Sequence, residues 1–208
     1  RLICDDTLLP AGRMREPLSG KNRANIVIIT KCPKNTSPME YRVLTKKMDL
    51  FPYQQLFFTS FQYAKLHPLF NGGQDYPLQK IKAGIHILLV TGIASPTSMI
   101  EELSTVSSHI HPLTFSDHHD FSAKDMENIK EEFEKLPEGR RMIITTEKDS
   151  TRMATHPDLA ESVKPYIYVL PIEVIFLQDQ EKSFNSKIMD YVRKDSRNSR
   201  ISTQQDKY

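Results

Sequence analysis

Ile85-His86-Ile87-Leu88-Leu89-Val90-Thr91, closed by Gly92-Ile93-Ala94-Ser95-Pro96, decides the fold. A short apolar run rich in branched side chains and bounded by Gly and Pro is a strand buried on both faces, and the turn after it opens a helix. The same rhythm continues towards the C-terminus, with a helix over 96–106, a strand over 109–115, a helix over 123–136, a strand over 142–146, a helix near 151–163 and a strand over 166–170. Alternation of this kind predicts an α/β fold, a mostly parallel sheet with helices on both faces. Towards the N-terminus, 24–30 reads as a further central parallel strand and 37–48 as a helix with the stripe Met39, Val43, Leu44 and Met48. Residues 55–63 read as a strand, and 67–84, with Pro68, Gly72, Gly73 and Pro77, as an aperiodic connector. An amphipathic helix over 181–192 precedes a polar tail, 195–208, expected to be disordered.

The 208 residues are 38% hydrophobic and 26% charged, enough for one large domain or two small ones. No stretch approaches the ~20 apolar residues that a membrane-spanning helix requires. Cys4 and Cys32 are too few for a disulfide framework or a four-sulfur zinc site. The net charge of +2 hides an asymmetry: nine bases face two acids between Arg13 and Lys47, whereas twelve acids face six bases between Glu101 and Asp149. The basic part suits an anion. Being local and without interleaved aromatic residues, it argues against a nucleic-acid partner.

Chemistry concentrates at strand ends. Phe115-Ser116-Asp117-His118-His119-Asp120-Phe121 places two histidines and two acids between a strand and a helix, where α/β proteins keep their sites, and Ser122 with Asp125 predicts the cap of the next helix. Leu8 to Leu18 joins Pro10 and Gly12 to Arg13, Arg15 and Glu16, a mixture suited to a phosphate or a metal. Gly92 to Pro96 could face an anion with its free amides. Thr145-Thr146-Glu147-Lys148-Asp149 ends another strand, and its lysine between two acids reads equally as a surface ion triplet. His67, His86 and His156 stand isolated.

Taken in order, Leu8-Leu9-Pro10-Ala11-Gly12, Arg15-Glu16-Pro17-Leu18, Arg23-Ala24-Asn25, Thr91-Gly92-Ile93-Ala94, the Phe115–Phe121 string, Thr146-Glu147-Lys148-Asp149 and Tyr168-Val169-Leu170-Pro171-Ile172 resemble the tetraacyldisaccharide 4'-kinase family, the lipid A 4'-kinases of Gram-negative bacteria. The resemblance implies a P-loop NTPase-like parent with a smaller C-terminal α/β domain. It also implies transfer of the ATP γ-phosphate to the 4'-hydroxyl of a tetraacyl glucosamine disaccharide, a lipid A precursor, by a peripheral protein at the cytoplasmic face of the inner membrane. The partners so implied are ATP, the lipid and the membrane surface, and no protein partner is predicted. The sequence contains no G-x-x-x-x-G-K-[ST] phosphate loop. The expectation is therefore a C-terminal portion, inactive alone, with ATP and Mg²⁺ held mostly by a missing N-terminal half.

On this pattern the domains are 1–50, a remainder of the nucleotide-binding domain; 51–84, a linker strand and connector; 85–194, the smaller domain with a returning linker strand and the final helix; and 195–208, the tail. The resemblance implies His118 as the catalytic imidazole, with His119 as competitor and Asp117 orienting the ring. It implies Arg15 and Lys148 at substrate or phosphate, and Glu16 at the metal. Two other classes compete on the residues themselves. One is a metal-dependent phosphoesterase using the Asp-His-His loop, or a zinc hydrolase adding His109 and His111; the other is a non-catalytic α/β module that binds anions through its basic segment.

Overall fold

The computed structural model describes residues 2–70, 72–117 and 119–205, with side chains up to 194, so His118 lies outside the described residues. In chain order the elements are β1 (Ile26–Ile29), α1 (Pro38–Met48), β2 (Gln55–Tyr63), β3 (His67–Pro68), β4 (His86–Thr91), α2 (Thr97–Ser104), β5 (His109–Thr114), α3 (Ala123–Glu134), β6 (Arg141–Thr145), α4 (Glu147–Ala154), β7 (Ile167–Val169), β8 (Ile172–Phe176) and α5 (Glu181–Gln205). They form two units, Arg1–Gln62 with Val174–Tyr208, and Tyr63–Glu173.

The second unit is a five-stranded sheet in the order β3-β7-β6-β4-β5, parallel except for the β3–β7 pair. Successive side chains of a strand point to opposite faces, so the unbroken run in β4 serves two cores at once. Leu88 and Val90 pack with Met126, Ile129 and Phe133 of α3. Ile87 and Leu89 pack on the other face with Met99 and Leu103 of α2. The helix α3 starts where its sequence says it should: Ser122 Oγ accepts from the Asp125 amide, and the Asp125 carboxylate accepts from the Ser122 amide. The connector over 67–84 is not loose, since Leu66 and Leu78 are buried in the α2-side core and Leu66 bridges Tyr76.

The first unit is a three-stranded sheet in the order β1-β2-β8, with β1 and β2 parallel. Where the sequence reads a central strand buried on both faces, β1 stands at the edge of this sheet among the described residues, paired with β2, and Ile28 is exposed. Periodicity reports side-chain faces; it does not count a strand's neighbours. Leu44 and Met48 of α1 join the core with Ile29 and Phe58, while Met39 and Val43 are exposed. The last helix continues to Gln205, through most of the segment expected to be a disordered tail; residues 206–208 lie outside the described residues.

His86, isolated in the sequence, sits opposite His109 in the β4–β5 register, its ring stacked 4.4 Å from that of His109 and its Nδ1 3.1 Å from His111 Nε2. Burial, then the two like neighbours, lowers its pKa below the ordinary 6.5.

Candidate functional site

The Phe115–Phe121 loop begins where β5 ends, at the carboxyl edge of the five-stranded sheet. The Phe115 amide still donates to Thr91 O of β4 at 2.8 Å, and the His119 amide closes the turn on Ser116 O at 3.1 Å. His119 is fully engaged. Its Nε2 lies 2.9 Å from Asp125 Oδ2, and a carboxylate can only accept, so this nitrogen carries the proton. The ring stacks on Phe115 at 4.9 Å and meets Phe121 edge-on at 5.5 Å. Asp125 anchors both the loop and the helix cap. Burial pushes its carboxyl up, but the Ser122 hydroxyl, the Ser122 amide and the His119 ring outweigh that and hold it at about 2.

A carboxyl lowered from the ordinary 3.8 to about 2 adds stability that is complete above the upper value and is lost as pH falls through the lower. Urea midpoints of the protein should therefore fall between pH ~4 and ~2, and Asp125→Asn should show a flatter dependence in that window. An identical slope in both proteins would remove Asp125 as the anchor.

The end of the next strand in the chain, β6, contributes the rest. Thr146 caps α4 by accepting from the Asp149 amide at 3.1 Å, so α4 starts at Glu147 rather than near Thr151. The Thr-Glu-Lys-Asp string is not a surface triplet. Lys148 Nζ donates to Asp117 Oδ1 at 3.0 Å. Asp149 is completely buried; its Oδ2 accepts from the Gly92 amide at 2.9 Å and the Thr146 hydroxyl at 2.7 Å. Gly92 is closely approached: a Cβ there would lie 3.1 Å from Asp149 Oδ1 and 3.4 Å from Ser116 O, so a larger residue would press on both.

Arg15 and Glu16 belong to the first unit, where a cleft of about 490 Å³ is lined by Asp6, Arg13, Arg15, Glu16 and Lys21 among others. The loop before it is tight: Asp6 Oδ1 accepts from the Thr7 amide at 2.9 Å and the Arg13 amide at 3.2 Å. A Cβ on Gly12 would come within 2.3 Å of Thr7 O, so only glycine fits. Lys21 donates to the carbonyls of Met48 and Asp49 at the end of α1, at 2.5 and 2.9 Å. Glu16 Oε2 carries Arg23 at 2.5 Å.

The expected residues thus fall into two groups. Asp117, His119 and Lys148 come together with Asp125, Gly92 and Asp149; Arg15 and Glu16 sit in the other unit. Among the described residues no three His, Cys, Asp or Glu side chains converge as metal ligands, the His109 and His111 set included. The sequence reading missed Asp149, Arg152 and His156. The signal for the first was Thr146 three positions before Asp149, a cap pattern.

The family described as Tetraacyldisaccharide-1-P 4'-kinase matches residues 1–193. A tetraacyldisaccharide 4'-kinase of Phocaeicola vulgatus is 66% identical over 97% of this chain and 55% of its own length. One of Bacteroides fragilis is 51% identical over 99% of this chain and 56% of its own. The chain thus spans about half the length of the curated relatives it matches. The crystal structure of LpxK from Aquifex aeolicus in complex with ATP has a similar fold, with a TM-score of 0.52 and 20% identity, covering 86% of this chain and 46% of that one.

Proposed function

The chain belongs to the tetraacyldisaccharide 4'-kinase family, and from that premise we propose that the intact protein transfers the γ-phosphate of ATP to the 4'-hydroxyl of a tetraacyl glucosamine disaccharide. The new bond joins the 4'-oxygen to phosphorus, the bond from phosphorus to ADP breaks, and the hydroxyl proton leaves to a base. The observation that carries the reading is the state of the Asp-His-His loop. Asp117 and His119 are each tied to charged partners, which leaves position 118 as the imidazole that can serve the reaction. An imidazole with an ordinary pKa near 6.5 can accept or share the proton at neutral pH. Lys148 pairs with Asp117 across an exposed contact, which braces the loop and leaves the ammonium two further donors for a phosphate.

Arg13 and Arg15 line the cleft of the first unit and suit the phosphates of the substrates, as a guanidinium does. Magnesium is a different matter. Glu16, the carboxylate proposed for it, has Oε2 paired with exposed Arg23, and Asp6 turns Oδ1 to two backbone amides, so magnesium bound there would replace the Arg23 pair. No step is routed through the metal. A peripheral position at the cytoplasmic face of the inner membrane fits a lipid substrate. No helix among the described residues is long and apolar enough to cross a membrane, and α1 exposes Met39 and Val43 beside Arg42 and Lys46, a mixture suited to anionic headgroups.

Arg15→Ala in the intact gene product should raise KM for ATP roughly tenfold, the worth of one charge-assisted hydrogen bond, with kcat changed much less. Phosphate transferred from ATP to the lipid disaccharide is what should be followed. An unchanged KM would take Arg15 out of the site, and no transfer by the unsubstituted protein would end the proposal.

A further inference from the structure

Three side chains spaced four apart, Lys148, Arg152 and His156, hold every second residue of the Asp-His-His loop. Lys148 reaches the Asp117 carboxylate at 3.0 Å, Arg152 Nη1 donates to His119 O at 2.6 Å, and His156 Nε2 donates to Phe121 O at 3.0 Å. The tautomer of His156 is fixed from behind, because its Nδ1 accepts from the Asp158 amide at 3.2 Å. Residues four apart on a helix share a face, so α4 and the turn after it present one polar edge to the loop. Beneath that edge lies Asp149. One of its oxygens takes the Gly92 and Thr146 donors; the other, Oδ1, has no hydrogen-bond partner among the described residues and lies beside the space a Cβ on Gly92 would take, which Ser116 O and His119 Cβ also border.

A carboxylate removed from water is costly unless its neighbours need it, and four long or charged side chains seldom converge on one short loop by chance of packing. We propose that Arg152 and Asp149 are positioning residues for the loop: Arg152 holds the loop backbone at His119 O and Asp149 holds the strand end at Gly92, and the rate of the proposed transfer depends on that placement. The inference deepens the kinase reading and rests on it for its effect on rate. A shift of about 1 Å at a reacting group is enough to cost on the order of 10²-fold.

In the intact gene product, Arg152→Ala lowers kcat by roughly 10- to 100-fold while KM for ATP and lipid stays within about threefold, and millimolar guanidinium ion restores part of the rate. Asp149→Ala behaves likewise, and Asp149→Asn, which keeps an acceptor for Gly92 and Thr146, recovers most of the activity. An unchanged kcat in both alanine variants overturns the proposal, as does a loss that neither guanidinium nor Asn recovers and that follows a collapse in Tm. Amide hydrogen exchange separates this from failure of the kinase reading. With or without phosphoryl transfer, both alanine variants should exchange faster across 115–121 while β4 and β6 keep their protection; unchanged exchange in the loop overturns the frame.

Discussion

On the proposed kinase reading, replacing His118 with alanine in the intact gene product should lower kcat for phosphoryl transfer by on the order of 10²-fold or more, with a smaller change in KM. The size follows from the role. Phosphoryl transfer asks a protein mainly for placement and charge stabilisation, and the one proton to be moved is that of the attacking hydroxyl. The neighbours cannot substitute. His119 has its Nε2 proton committed to Asp125 and its ring wedged between Phe115 and Phe121. Asp117 is paired with Lys148. His119→Ala should accordingly act through the loop's stability, lowering Tm along with rate. A kcat that survives at position 118 and falls only at 119 would reverse the assignment.

Phe133→Ala should cost about 3–5 kcal/mol of stability, the largest effect expected from a single side chain of the second unit. Phe133 is 1% exposed and fills the core between α3 and the sheet with Met126, Ile129 and Leu136. It also carries the Arg141 guanidinium over its ring at 4.5 Å. Arg141 Nη1 in turn donates to the carbonyls of Phe133, Glu134 and Leu136, closing the end of α3 onto the start of β6. Truncation therefore opens a cavity and removes the ring beneath the guanidinium, while the backbone carbonyls that Arg141 caps remain. Phe133→Leu, nearer in volume, should cost less than half as much. Urea denaturation gives the difference, and a loss below about 1 kcal/mol would mean that α3 does not pack as described.

How much of this was legible depends on the kind of signal. The alternation from β4 to β7 was readable because a strand serving two cores must be apolar throughout, and α3 was readable because its cap and its stripe agree. The position of α4 was not, since Lys148 between two acids looks like a solvated triplet until three strand ends converge and bury Asp149. His156 looked isolated because its partner, Phe121 O, lies far away in the chain. The trio of His86, His109 and His111 appears only once the β4–β5 register is known. For β1, a run of branched residues announced burial that the described residues do not supply at Ile28. In each case the missing information was a neighbour brought from elsewhere in the sequence.

The measurement that bears most directly on the central claim is transfer of radioactive phosphate from γ-labelled ATP to tetraacyldisaccharide 1-phosphate by the intact gene product, with the position of the new phosphate read by ³¹P NMR. The account predicts label on the 4'-oxygen, strongly reduced by His118→Ala. Absence of label, or label at any other position, contradicts it.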